Sequence, residues 1–203
     1  LKLNIGVLGG QIFDKNLNHN FSSNYHASII NDITYLLSAS KKNIGINSKK
    51  TDFEDNNYKN VDAIIGCNLF MSKRVFKKIG GFDDEFFMYF EDLDICRSIF
   101  TKFGLKSYVL EDVKIIHFEG GSSKTNNVVK VKKVKAATYS MYITSLFYYI
   151  KKHKASQLGY FLNRTYFKLI VFLNISLNGL SLRKVFDFNI RDRINLIKQL
   201  IKS

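Results

Sequence analysis

Apolar residues recur along this chain in short runs, separated in its first third by long polar stretches. Positions 3–8 read as a short buried strand and Gly9-Gly10 as the turn that ends it. Positions 11–27, rich in Asn and Ser, predict a loop. Ile29, Ile30, Ile33, Leu36 and Leu37 fall at helical spacing and predict a short amphipathic helix over 28–37. Lys, Asn and Asp return over 38–60, an exposed loop with short strands of its own. The run at 61–71, V-D-A-I-I-G-C-N-L-F-M, is nearly continuous in apolar residues and predicts a strand buried on both faces. Gly66 sits inside that run. Its missing side chain marks either a bulge or a place where a ligand or another backbone comes close.

Further on, the punctuation sharpens. Ser72 is placed to cap a helix over 73–79, and Gly80 or Gly81 supplies its left-handed stop. Positions 82–89 form a turn with aromatic anchors. A helix over 91–103 carries acids in its first turn and Arg97 and Lys102 later, in agreement with the helix dipole, and Gly104 ends it. Short strands follow at 105–110 and 113–117, the second closing on His117 and a Gly-Ser loop. Positions 124–135 are polar and basic. Helices are expected over 136–152, over 156–177, and over 181–203, where Val185, Phe186, Ile190, Ile194, Ile197, Leu200 and Ile201 recur every three or four residues. Neither of the first two makes a good bilayer span: one apolar run is too short, and the other contains Arg164 and Lys168.

Charge divides the chain in two. Its net charge is +14, yet residues 1–123 carry 15 Lys/Arg against 15 Asp/Glu. Residues 124–203 carry 16 Lys/Arg against only Asp187 and Asp192. The expected organisation is therefore a balanced domain over 1–123 and a basic helical tail over 124–203. With 46% hydrophobic residues, a sizeable core is expected and wholesale disorder is not. Cys67 and Cys96 lie in apolar segments and read as buried thiols of a reducing compartment.

Chemistry concentrates between 80 and 117. Asp83, Asp84, Glu85, Glu91, Asp92 and Asp94 crowd together. Such acids repel unless a cation, a helix N-terminus or a network of sugar hydroxyls takes up their charge. Glu91 and Asp92 open a helix, a position that holds a carboxylate firmly enough for a general base, although capping alone would explain either acid singly. His117 ends a strand, where a histidine is more often structural than a ligand; the open glycine loop beside it favours a ligand role. The chain has no G-x-G-x-x-G, no P-loop and no visible acyl-transfer triad. His19, His26 and His153 have no constellation around them and read as surface residues.

The stretch IIGCNLFMSKRVFKKIGGFDDEFFMYFEDLDICRSIFTKFG, with the strand ending in His117 and the following GGSS, resembles the C-terminal half of family 2 glycosyltransferases. The nearest type is the bacterial rhamnosyltransferase-like group that builds surface polysaccharides. The likeness covers 4–123 and is dense over 66–123. It implies an α/β fold: a partial GT-A, Rossmann-like sandwich followed by the basic amphipathic helical tail. It further implies transfer of a sugar, rhamnose among the candidates, from a nucleotide-sugar donor to a saccharide or lipid-linked acceptor, with inversion. The family's base falls on Asp92, and its metal-ligating histidine, beside the donor diphosphate, on His117. Gly66, Asp83 and Glu91 are the substrate-side candidates, and the implied cofactor is a divalent cation, Mg or Mn. The family's Phe-Asp-Glu turn is here Phe82-Asp83-Asp84. The chain starts too late to contain the nucleotide-binding strands and Asp-x-Asp motif that such enzymes place upstream, so a fragment, a split gene product or a domain excerpt is expected. The chain alone is accordingly expected to bind donor weakly or not at all.

A basic aromatic tail suits work at an anionic membrane surface, which implies a peripheral location on the cytoplasmic face of the cell membrane. The bland alternative packs the tail on the catalytic part and leaves only a solvated basic face. A non-catalytic remnant binding a membrane or a partner is the alternative to the enzyme. Nucleic acid is not expected as a partner: it leaves the acidic cluster unexplained, and no nucleic-acid motif is present.

Overall fold

A computed structural model describes residues 4–20, 22–24, 57–118, 134–153 and 190–202, with 161–162, 164–166, 168–169, 171–172, 175 and 186–187. The helix expected over 28–37 and most of the basic stretch at 124–135 lie outside these residues, as does His26. The chain is mixed α/β and divides into two compact units. One comprises Leu1–Asp84 and Glu91–Lys124, the other Glu85–Phe90 and Thr125–Ser203.

The first unit is built on a curled four-stranded sheet in the order β2-β1-β6-β4. Here β1 is Ile5–Phe13, β2 His19–Asn20, β4 Tyr58–Val61 and β6 Lys106–Ile116. β1 and β6 run parallel at its centre, and β2 and β4 add antiparallel edges. A small antiparallel pair, β3 (Ser23–Asn24) and β5 (Ala63–Ile64), lies beside it. Among its described residues the unit has two helices, α1 (Lys73–Ile79) and α2 (Glu91–Phe103).

The strand expectations need three corrections. Gly9-Gly10 does not end β1, which runs through both residues to Phe13. A Cβ on Gly9 would stand 2.4 Å from Ile64 Cγ2, and one on Gly10 2.4 Å from the Val113 carbonyl oxygen. These glycines admit close neighbours and make no turn. The strands expected at 105–110 and 113–117 are one, interrupted where the register jumps from Gly10↔Leu110 to Gln11↔Lys114. The Gln11 amide fills the irregularity by donating to the Glu111 carbonyl at 2.7 Å. The apolar run at 61–71 is not a single strand. It gives the end of β4, then β5, a 3₁₀ turn at Gly66–Asn68, and an isolated bridge from Phe70 back to Leu8. Cys67 is thereby exposed, against expectation, whereas Cys96 is buried, and its burial pushes the thiol up to about 11.

The helices follow their local signals. Ser72 Oγ accepts from Val75 N at 3.2 Å, and Gly80 closes α1 at φ 96°. Gly104 ends α2 at φ 67°, donating to the Phe100 carbonyl. The inner face of α2 sets Leu93, Ile95, Cys96 and Ile99 into the core, where the helix packs on β5, β1 and β6.

In the second unit, α3 (Ala136–Lys152) buries Tyr139, Ile143, Leu146, Phe147, Tyr149 and Ile150. The segment Glu85–Phe90 packs on it. Phe86 meets Tyr148 edge-on at 4.8 Å, Phe90 lies 5.5 Å from Tyr149, and Ser145 Oγ donates to the Met88 carbonyl at 2.7 Å. The expected aromatic anchors thus meet helix residues about 60 positions further along the chain. The last helix, α4, is Ile190–Lys202, shorter than the 181–203 expected; Phe186–Asp187 instead forms a strand, β8, parallel to β7 (Val134–Lys135). Gln199 ties α4 to α3 through Ser140 and Thr144, while Leu196 and Leu200 are buried.

Candidate active site

The 3₁₀ turn at Gly66–Asn68 is held from both ends. Ile65 N–H donates to the Ser22 carbonyl, and Leu8 and Phe70 exchange backbone hydrogen bonds of 2.8 Å in both directions. Within the turn, Asn68 N–H donates to the Ile65 carbonyl. The turn is therefore fastened to Ser22 before Gly66 and to β1 after it.

That rigidity fixes Asp92. Gly66 N–H donates to Asp92 Oδ2 at 3.0 Å, and Leu93 N–H donates to Asp92 Oδ1 at 2.8 Å. Each carboxylate oxygen thus has one backbone donor, one from its own helix and one from 26 positions away. Gly66, expected in mid-strand as either a bulge or a place of close approach, instead opens a turn. A Cβ there would meet the Asp92 side chain at 3.5 Å, ordinary contact. Burial raises the Asp92 carboxyl above its usual range, and the Gly66 and Leu93 N–H groups oppose that rise. The result is an oriented carboxylate more basic than a solvated one.

Glu91 stands beside it in a related environment. Burial raises its carboxyl first, its own backbone N–H lowers it, and the neighbouring Asp92 charge raises it further. Glu91 Oε2 is buried with no hydrogen-bond partner. Sequence reasoning missed a second such group, Asn68, two positions beyond Gly66. Its side chain is 3% exposed, and neither Oδ1 nor Nδ2 has a partner. An unsatisfied buried polar group costs about 1–3 kcal/mol, so this amide weakens the fold it sits in. The available signal was an amide-bearing residue inside the apolar run at 61–71.

Backbone strain leads into the same helix. Tyr89 and Phe90 both adopt left-handed φ values, 70° and 69°, immediately before Glu91. For residues with a Cβ this costs roughly 1–2 kcal/mol each. Phe86 and Phe90 are buried in the second unit, and burying each ring is worth about 1.5–3 kcal/mol, enough to hold the turn.

The remaining candidates come from other segments of the first unit. Asp83 is half-buried in the turn between α1 and α2. His117 follows the end of β6, where its N–H donates to the Phe13 carbonyl at 2.8 Å, and it shares no hydrogen bond with Asp92. Among the described residues, no group of three or more His, Cys, Asp or Glu side chains is placed to hold a metal ion. His117 is one imidazole, which alone does not make a cation site, and no step below runs through a metal ion. His19 is exposed with its ring edge-on to Phe13, and His153 lies 4.7 Å from the Tyr149 ring. Comparison with protein-family models, with curated proteins and with solved structures finds no match.

Proposed function

We propose that this chain is the acceptor-side part of an inverting, GT-A-type glycosyltransferase, with Asp92 as general base. The observation that carries the reading is the carboxylate of Asp92, fastened through both oxygens and raised in basicity by burial. In the proposed step, the acceptor hydroxyl donates its hydrogen bond to a remaining lone pair of Asp92. The hydroxyl oxygen attacks the anomeric carbon of a nucleotide-sugar as the bond to the diphosphate breaks. The proton ends on Asp92, the electron pair leaves with the diphosphate, and the configuration inverts. Backbone donors suit this role because they orient the base without supplying a competing proton. Gly66 holds Asp92, and Glu91 is proposed on the substrate side from the sequence resemblance. Asp83 is proposed on the acceptor side from the sequence resemblance alone.

The test is transfer from a panel of nucleotide-sugars to saccharide and lipid-linked acceptors, using the gene product that contains this chain, with Asp92→Asn alongside. Loss of a general base predicts a fall in kcat of about 10²–10⁴-fold with folding intact by circular dichroism. Transfer by Asp92→Asn at the unsubstituted rate would overturn the assignment.

A further inference from the structure

We infer that α4 lies flat on an anionic lipid surface, held by a stripe of exposed isoleucines bordered by cations. Ile190, Ile194 and Ile201 are 78%, 48% and 73% exposed, although the helix buries Leu196 and Leu200 on another side. At 3.6 residues per turn, the three isoleucines fall within about 40° of one another. Arg191, Lys198 and Lys202, all exposed, line one border of that stripe, and the half-buried Arg193, whose Nε is buried, lies on the other. Asp192, the helix's single acid, lies on the far side.

A second patch extends the first. Phe161, Leu169 and Phe172 are exposed on the described helical residues between 161 and 175, while Val171 and Ile175 are buried. Lys168 Nζ reaches the Ile201 carbonyl at 3.4 Å, which brings this stretch beside the C-terminal end of α4. Charge decides what covers the surface. Residues 124–203 carry 16 Lys/Arg and two acids, so a second copy would set like charge against like, whereas anionic headgroups are complementary. Among the described residues, no helix is long and apolar enough to cross a membrane. The surface would act in this way whether or not the first unit transfers sugar.

The experiment is co-sedimentation of the whole chain with vesicles of phosphatidylcholine alone, and of phosphatidylcholine with a quarter phosphatidylglycerol, at low and high salt. Binding to the anionic vesicles alone, weakened by salt, is expected. The triple variant Ile190→Ser, Ile194→Ser, Ile201→Ser alters exposed positions only. It should reduce partitioning by at least about tenfold while circular dichroism stays unchanged. Lys198→Gln with Lys202→Gln should reduce it by about fivefold per cation. Three results would overturn the inference: no binding by the unsubstituted chain, undiminished binding by the triple variant, or a dimer in solution that the triple variant converts to monomer.

Discussion

Replacing Gly9 by alanine tests how β1 supports the Asp92 site. The added Cβ would lie 2.4 Å from Ile64 Cγ2 and 2.8 Å from the Asn68 carbonyl oxygen. Neither neighbour yields easily. Ile64 is fully buried with a branched Cβ, and the Asn68 carbonyl belongs to the turn that carries Gly66. Overpacking of this kind costs about 1–3 kcal/mol. Urea denaturation followed by circular dichroism should show a lower midpoint with the slope unchanged. Amide exchange in β1 and in the 66–68 turn should quicken about tenfold for every 1.4 kcal/mol lost. Ile64→Ala removes the clashing methyl at its own cost of about 2–5 kcal/mol, so the double variant should be more stable than the two single effects predict by addition. A Gly9→Ala protein within about 0.5 kcal/mol of the original, or strictly additive effects, would refute the claim that this glycine exists for close approach.

Glu91 makes stability depend on pH. Because burial raises its carboxyl in the folded state, its contribution is complete below the ordinary value of 4.5 and is lost as pH rises through the raised pKa. Glu91→Gln removes that dependence, so the stability of the variant minus that of the original should grow between about pH 4 and about pH 7; a flat or falling difference would contradict the burial. The cysteines should separate under a thiol reagent. Cys67 is exposed and should react at once, while the Cys96 thiol, pushed up to about 11 from 9.0, should react at least about a hundredfold more slowly until the protein unfolds. Equal native rates would contradict the placement of Cys96 in the core.

The mixture of helix and strand was legible in the sequence, as were the helix boundaries set by short-range chemistry. Ser72 and Gly80 bracket α1, the early acids and Gly104 bracket α2, and the apolar run at 136–152 is α3 from end to end. Caps and helical periodicity act over four residues, so the sequence alone determined them. Glu91 and Asp92 were legible together, from their place in a helix's first turn among crowded acids, and the choice of Asp92 between them came from the family resemblance. What holds Asp92 was not legible, because Gly66 lies 26 positions away and its N–H could turn inward only once the run at 61–71 had broken into a turn. The strand through Gly9-Gly10 was likewise decided by tertiary structure: its parallel partner is about 100 residues distant, and only that pairing shows the glycines to be spaces for neighbours. The same holds for Phe86 and Phe90, which anchor to α3 across the chain, and for the isoleucines of α4, whose exposure depends on which face Leu196 and Leu200 commit to burial. Side-chain identity and spacing determine what a segment can form locally. Which groups meet, and which stay in contact with solvent, depends on partners the local sequence does not contain.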